Sequence, residues 1–185
     1  MYKSNVIFII LLFFWFDKVF ALVESEVFPG LVYQSALEEG NIEVIEKYLE
    51  LGQSSNKKNK YNLIPLAYAV KNNSKKMIDL LIKNDANINN VFLDKTSILM
   101  YCVMLDKNNL IDYVIEKGVD INLQDGLGRT ALMIAIEKEN RIAVEKIIKK
   151  NPNMEITDFS GNSIFEYINF IRDRKIKNLV EKFKF

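Results

Sequence analysis

Apolar residues recur along the chain in short clusters with helical spacing, and the clusters themselves repeat at a constant interval. Equal steps from Thr130, in the segment GRTALMIA, meet corresponding positions without a gap. These positions are Leu31, Ile64, Ser97 and Ser163. Self-similarity at a fixed period, here about 33 residues, is typical of repeat architectures. The sequence therefore predicts five repeats, which start near positions 31, 64, 97, 130 and 163.

Each repeat begins with a predicted helix that has a large apolar residue at one position and a mostly small residue three positions later. The large residues are Tyr33, Leu66, Leu99, Leu132 and Phe165. The second column reads Ala36, Ala69, Cys102, Ala135 and Ile168. Residues three positions apart share a helix face. We therefore expect this face to be buried, with the small residues where neighbouring helices approach closely.

A second predicted helix in each repeat has apolar pairs at positions i, i+1, i+4 and i+5. Examples are Val44, Ile45, Tyr48 and Leu49; Met77, Ile78, Leu81 and Ile82; Leu110, Ile111, Val114 and Ile115; and Ala143, Val144, Ile147 and Ile148. In the fifth repeat the same positions hold Ile176, Lys177, Val180 and Glu181. One of the two apolar stripes is thus charged there, which is what the outer face of a terminal repeat requires for solubility.

Turn and capping residues separate these helices. Gly118 and Gly52 share a column that suits a helix end with positive φ, which Asp85 and Asn151 occupy in other repeats. Other positions predict tight turns and helix starts. The tight-turn residues are Asp125 with Gly128 and Asp158 with Gly161, and the helix starts are Ser97, Thr130, Ser163 and Pro65.

On these residues the chain resembles the ankyrin repeat family. The family core G-x-T-P-L-H-x-A corresponds here to GRTALMIA and YNLIPLAYA, and the family close G-A-D-V-N corresponds to GVDIN and DANIN. The resemblance covers about residues 30–183. It implies an all-α ankyrin-repeat solenoid of about five stacked helix-turn-helix units with short β-hairpin fingers, which binds proteins on its concave face.

Two departures from the family pattern change the expected details. The chain has no histidine, so the inter-repeat hydrogen bonds of the family histidine must be missing or made by other groups. The residues in its place are Gln34, Ala67, Met100, Met133 and Glu166. The connectors QSSNKKNKYNL and NNVFLDKT keep little of the turn pattern, and we expect them to be irregular.

The N-terminal segment of the chain is predicted to direct export. Residues 1–21 have a lysine near the start, an apolar run from Val6 to Phe16 and Ala21 at the expected cleavage point, as in a secretory signal peptide. Residues 22–30 form an N-terminal lead-in, and residues 31–185 form the repeat domain. We expect a periplasmic or secreted protein, and an uncleaved membrane anchor remains the alternative.

Composition restricts the chemistry. The formal net charge is +1, with 25 basic and 24 acidic residues, which does not indicate a nucleic-acid-binding protein. The absence of histidine removes the commonest proton-transfer group and metal ligand, and Cys102 has no cysteine partner.

The segment DGLGRT lacks the lysine of a P-loop and the spacing of a dinucleotide-binding loop. The lysines of NKKNK, residues 56–60, are typical of a solvated loop. We predict no cofactor, no metal and no enzymatic activity.

The expected binding residues are apolar side chains at connector tips and helix ends. The tips contribute Tyr61, Leu93, Leu127 and Phe159, and the end of the first helix of the third repeat contributes Met104 and Leu105. Apolar anchors inside a polar rim are the usual anatomy of an interface. The alternative is that irregular connectors turn these side chains inward, or that Leu105 packs on a neighbouring repeat.

The sequence therefore predicts a non-catalytic, monomeric protein-interaction module with a protein partner and without a nucleic-acid partner. Contact with a membrane is expected only through an uncleaved signal segment. Two alternatives stay open. One is a periplasmic, protective factor that acts as a chaperone for an exported enzyme. The other is a hydrolase with carboxylates on the concave face, which would need a deep pocket with two converging acids.

Overall fold

Ten α-helices in five consecutive pairs make up the regular secondary structure of residues 29–183, which are the residues that the computed structural model describes. The first helices of the pairs are α1 (Pro29–Glu39), α3 (Pro65–Lys71), α5 (Ile98–Met104), α7 (Ala131–Glu137) and α9 (Ile164–Phe170). The second helices are α2 (Ile42–Glu50), α4 (Lys75–Lys83), α6 (Asn108–Glu116), α8 (Arg141–Ile148) and α10 (Arg174–Glu181). The predicted signal peptide, 1–21, and residues 22–28 of the lead-in lie outside the described residues.

Helix starts follow the capping residues that the sequence predicts. The hydroxyl groups of Ser97, Thr130 and Ser163 accept hydrogen bonds from backbone N–H groups in the first turns of α5, α7 and α9. Pro65 is the first residue of α3, where its missing N–H has no intrahelical partner to lose. Such a side-chain cap stabilises a helix by about 1 kcal/mol. The short helices thus have locally encoded beginnings.

Left-handed backbone conformations end the helices in two columns of residues. The predicted column after the second helices is confirmed by positive φ at Gly52, Asp85, Gly118 and Asn151. A further column, between the two helices of each of the first four pairs, has positive φ at Gly40, Asn73, Asp106 and Glu139. Only the first member of this second column is glycine, which explains why residue type alone did not indicate it.

The chain divides after Gln53 into two compact units. In the first unit, α1 packs against α2. The buried residues of the pair are Tyr33, Ala36, Leu37, Ile45, Tyr48 and Leu49. Burial raises the pKa of Tyr33 above its ordinary value, so this phenol stays neutral in the folded state.

In the second unit, from Ser54 onwards, each first helix packs on its own second helix and on the next first helix along the chain. Leu66, Leu99 and Leu132 are at most 1% exposed, as their shared column predicts. Ala69, Cys102 and Ala135 are fully buried where these helices meet. Phe165, the last member of the large column, is only half-buried. The repeat pattern of the sequence is thus a pattern of burial in this unit.

Asparagine side chains link successive repeats of the second unit. The amide oxygens of Asn56, Asn89 and Asn122 each accept a hydrogen bond from a backbone N–H 31 residues later, at N···O distances of 2.8 to 2.9 Å. The three asparagines occupy the same position in successive repeats. They supply inter-repeat hydrogen bonds in a chain that lacks the family histidine.

None of the helices within residues 29–183 combines the length and the apolar character that a membrane crossing needs. The apolar run from Val6 to Phe16 lies outside these residues.

Candidate functional site

Four connector turns carry the predicted binding tips. They span residues 59–63, 92–96, 125–129 and 158–162, and we refer to them as the first to fourth connectors. In the first, third and fourth connectors an Asn or Asp side-chain oxygen accepts two backbone N–H groups, two and four residues further on. The accepting residues are Asn59, Asp125 and Asp158. Side chains of this type stabilise turns by mimicking a backbone acceptor.

The first connector is therefore regular, and the expectation of an irregular turn there was wrong. Asn59 does what Asp125 does in the third connector, and Asn62, with a φ of 63°, adopts the left-handed conformation that Gly128 has there. The second connector differs: buried Phe92 replaces the turn-forming side chain, and Leu93 and Lys95 both have positive φ. An antiparallel bridge between Phe92 and Thr96 closes this turn.

Backbone hydrogen bonds join neighbouring connectors at their tips. The N–H groups of Leu93, Gly126 and Phe159, at one position of successive repeats, donate to carbonyl oxygens of the preceding connector at N···O distances of 3.3, 2.8 and 3.0 Å. The acceptors are Asn62, Asp94 and Leu127. The four tips thus form one hydrogen-bonded row, which fixes the spacing of the side chains that they carry.

A tyrosine of the helix that follows braces the first, second and fourth connectors. Tyr68 accepts a hydrogen bond from the Asn59 amide at 2.7 Å, and Tyr167 donates one to Asp158 at 2.8 Å. Tyr101 meets Phe92 edge to face, with ring centroids 5.1 Å apart. In each of these three contacts the two partners are separated by the same number of residues. The apolar columns of the sequence did not reveal the contacts, but each contact joins the same two positions of the repeat, so aligning the repeats could have identified them.

The third connector is braced by charge, since the corresponding helix residue is Ile134. The Arg129 guanidinium contacts the Asp125 carboxylate at 2.9 Å and the Glu137 carboxylate at 2.9 Å. Burial alone would lower the pKa of Arg129, but the bond to Asp125 and the charges of both acids raise it. At the fourth connector, burial opposes ionisation of Asp158, yet hydrogen bonds from Asn162 and Tyr167 lower its pKa below the ordinary value.

All six predicted binding residues are exposed. Their exposed fractions lie between 38% and 69%, and the residues are Tyr61, Leu93, Met104, Leu105, Leu127 and Phe159. The structure therefore does not turn these side chains inward. It joins the four tip residues in the hydrogen-bonded row and places Met104 and Leu105 separately, at the end of α5. Their role in binding stays a prediction.

Phe159 and Met104 are held in place by specific neighbours. A Cβ atom added to Gly128 would stand 2.5 Å from Cδ1 of Phe159, so the ring lies against the glycine backbone. The Lys138 ammonium donates to the Met104 carbonyl at 2.8 Å and contacts the Asp106 carboxylate at 3.2 Å. With these contacts in place, Phe159 is still 69% exposed and Met104 40% exposed, which leaves both available to a partner.

Phe170 is a candidate that the sequence analysis missed. It is 84% exposed at the end of α9, and it occupies the repeat position of Lys71, Met104 and Glu137. The helix-end residues predicted from the sequence, Met104 and Leu105, both belong to the third repeat. Extending the same column to the fifth repeat would have identified it.

Nothing in the described residues favours catalysis. Residues 29–183 contain no group of three or more metal-ligating side chains. Cys102 is fully buried, and burial raises its pKa to about 12, which leaves the thiol protonated and unreactive. An open pocket of about 430 Å³ near Phe165 and Phe183 contains one carboxylate, Glu155, whereas the hydrolase alternative needs two converging acids.

Comparison with known proteins gives consistent matches. A family model described as ankyrin repeats, in three copies, matches residues 33–125 and 94–158. A Rickettsia felis protein described as an ankyrin repeat protein is 28% identical over 122 residues, 65% of this chain and 42% of its own length. A Treponema pallidum protein described as ankyrin repeat-containing is 24% identical over 143 residues, 77% of this chain and 48% of its own length.

Alpha-latrotoxin-Lg1a of Latrodectus geometricus is 28% identical over 149 residues, which are 79% of this chain and 11% of the toxin. The chain thus spans less than half the length of each of these three relatives.

Proposed function

Because the chain belongs to the ankyrin repeat family, we propose that it is a non-catalytic module that binds a protein partner across its connector tips and first-helix ends. Ankyrin repeats generally mediate protein binding. The observation that carries the proposal is the hydrogen-bonded row of tips with exposed apolar side chains. The four repeats from Ser54 onwards are proposed to form a solenoid with the connectors as short hairpin fingers, and to act as a monomer.

Rigid presentation is what favours binding at this surface. When a partner covers apolar side chains, their removal from water stabilises the complex by about 25 cal/mol per Å² of apolar area. A surface that is already ordered loses less conformational entropy on binding than a mobile loop does. The tip hydrogen bonds and the bracing tyrosines order the connectors in advance.

A double substitution, Met104→Asp with Leu105→Asp, tests the proposal. Both side chains are about 40% exposed, so we expect the free energy of unfolding to fall by no more than about 1 kcal/mol. Capture of protein partners from extracts, quantified by mass spectrometry, should fall at least tenfold. Ile142→Asp is the matched control, because Ile142 is 49% exposed but lies on α8, away from the tips.

A sharp loss of stability with unchanged capture would show that Met104 and Leu105 are structural. Equal loss of capture in the Ile142→Asp variant would show that the chosen face is not special. Either result rejects the proposed surface.

Export through the N-terminal segment is a separate proposal. It is supported by the apolar run from Val6 to Phe16 and by Ala21 at the expected cleavage point. Cell fractionation with intact-mass measurement of the recovered chain tests it. A chain without residues 1–21 in the periplasm or medium is expected. A chain that retains Met1 in the membrane fraction supports the anchored alternative, and retention in the cytoplasm rejects export.

A further inference from the structure

Charge is unevenly distributed along the second unit. Residues 54–86, which contain the first connector, α3 and α4, hold seven lysines, two aspartates and no other charged residue, a formal charge of +5. Residues 87–119, which contain the second connector, α5 and α6, hold three lysines and four acids, a formal charge of −1. The near-neutral chain therefore contains a strongly basic segment beside the predicted apolar anchors.

Three exposed lysines of these two segments lie on the candidate binding face without a carboxylate partner. Lys60 and Lys95 belong to the first and second connectors, and Lys71 ends α3. No carboxylate of the described residues lies within 4 Å of their ammonium groups, whereas Arg129 and Lys138 on the same face are paired with acids. The charges of these three lysines are thus available to a partner.

Tyrosine rings position two of these lysines. The Lys60 ammonium lies 4.9 Å from the centroid of the Tyr61 ring, and the Lys71 ammonium lies 5.2 Å from that of Tyr68. Tyr68 is itself bonded to Asn59 of the first connector. A cation above an aromatic face keeps its outer side free for an anion. Lys60 of the first connector and Lys71 at the end of α3 are thus held beside aromatic rings while both side chains stay exposed.

Lysines alternate with apolar residues in the repeat register. Lys60 shares its repeat position with Leu93, and Lys71 shares its position with Met104. The tip of the second connector also carries an acid, Asp94. Its carboxylate lies over Gly126 of the third connector, so that a Cβ atom added to Gly126 would stand 2.0 Å from Asp94 Oδ1. The candidate binding face is thus basic at Lys60 and Lys71 and apolar at Leu93 and Met104.

We propose that the partner of this module is an acidic, apolar protein segment. Its carboxylates contact Lys60, Lys71 and Lys95, and its apolar side chains cover Leu93, Met104 and Leu105. The inference rests on the proposed protein-binding function and adds the chemistry of the partner. The interleaved apolar anchors favour a protein segment over a nucleic acid, whose binding is dominated by phosphate contacts.

Selection from a random 12-residue peptide library displayed on phage tests this chemistry. The full wild-type chain is compared with two variants of equal charge change. The face variant carries Lys60→Glu, Lys71→Glu and Lys95→Glu. The control carries Lys76→Glu, Lys83→Glu and Lys149→Glu, which are exposed lysines of α4 and the end of α8.

We expect the wild type and the control to enrich peptides in which Asp and Glu flank Leu, Phe or Met. Affinity of the wild type for such a peptide should fall at least tenfold in the face variant and by less than about threefold in the control. It should also fall several-fold when salt rises from 0.05 to 0.5 M, because exposed charge pairs are screened. The face variant should instead enrich basic peptides.

Enriched peptides without an acidic excess, or equal losses in both variants, would overturn the inference while leaving protein binding intact. Failure to enrich any peptide would also overturn the inference about the acidic partner. The proposed protein-binding function would then be tested separately, by comparing the capture of proteins from extracts by the wild type and by the Met104→Asp/Leu105→Asp variant. Sedimentation measurements complete the test. Three samples are compared: the chain alone, the chain with a single-stranded 20-mer DNA, and the chain with phosphatidylglycerol vesicles. Association in any of these mixtures that the face variant abolishes, without acidic peptides, identifies another occupant and rejects the proposal.

Discussion

At the scale of single residues, Gly128 and Gly161 occupy the same position in adjacent connectors but have different surroundings. Both have positive φ, 80° and 84°. An added Cβ at Gly128 would meet Phe159 at 2.5 Å from Cδ1 and 2.6 Å from the backbone nitrogen, whereas Gly161 has nothing within 4 Å. Gly161 is therefore required only for its backbone conformation, whereas Gly128 is required both for its conformation and because a side chain there would collide with Phe159.

Gly128→Ala is expected to destabilise the protein by about 3 kcal/mol and Gly161→Ala by about 1 kcal/mol, measured by urea denaturation. The smaller value reflects the left-handed backbone alone. The larger one adds displacement of Phe159 and of its hydrogen bond to Leu127. Equal losses in the two variants would mean that the ring moves aside without cost.

Tyr167 and Tyr68 allow a second prediction at the residue scale, on how the loss of stability in their variants depends on pH. Hydrogen bonds keep the pKa of Asp158 below its ordinary value of 3.8, so its ionised form stabilises the fold above that pH, and this contribution is lost as the pH falls through the folded pKa. Tyr167→Phe removes one of these bonds. The variant should be less stable than the wild type by about 1 kcal/mol at pH 7, and the difference should shrink below about pH 4.

Tyr68→Phe is the matched control, because Tyr68 bonds to the neutral amide of Asn59. Its loss of stability should be of similar size at pH 7 and should not shrink in acid. Urea denaturation at pH 7, 5, 4 and 3 measures both variants. A parallel pH dependence of the two would refute the role of Asp158.

At the scale of elements, the asparagine column links one repeat to the next. Asn89 accepts the Asp120 N–H at 2.8 Å, and its amide donates to the Gly118 carbonyl at 3.4 Å. Asn89→Ala should cost about 1 kcal/mol of unfolding free energy, and Asn89→Asp should cost less because the acceptor remains. Glu155, in the same column, accepts no such inter-repeat bond within the described residues, so Glu155→Ala should be nearly neutral. A large loss in Glu155→Ala, measured by the same urea denaturation, would contradict this account.

The helices could be predicted from the sequence because burial selects residues by type, and type is visible in a column. Ala69, Cys102 and Ala135 show this, since only small side chains fit where the first helices meet. The bracing of connectors could not be predicted in the same way. Asn59 and Phe92 stand at one repeat position, one making hydrogen bonds and the other packing on an aromatic ring, so residue type there is not preserved.

The candidate binding residues lie between these cases. Exposure of Met104 follows from the repeat register, because its position is exposed in all five described helix pairs, and the position of Leu93 is buried in none of the four connectors. Which exposed positions matter to a partner does not follow from the register, since nothing in the fold constrains their residue type. Lys60 and Leu93 share a repeat position, and the same backbone hydrogen bond closes both connectors, from Asn59 N–H to Leu63 and from Phe92 N–H to Thr96. Under the proposed function, the partner rather than the core selects these residues.

At the scale of the whole molecule, one stripe of α10 differs from the corresponding stripe of α8. On α8, Val144 and Ile148 are buried beneath the next repeat. The corresponding residues of α10 are Lys177 and Glu181, while the other stripe, Ile176 and Val180, is fully buried. A polar stripe here opposes the stacking of another copy of the chain on this face.

Lys177→Val with Glu181→Ile restores the apolar stripe and should make the chain self-associate at micromolar concentration, as an exposed apolar patch does. Stability measured under dilute conditions should change little, because the buried stripe is untouched. Lys177→Gln with Glu181→Gln is the control, which removes both charges without adding apolar surface and should sediment as the wild type does. Analytical ultracentrifugation over a hundredfold concentration range measures all three. Unchanged sedimentation of the apolar variant would show that features other than these two side chains limit stacking at this end.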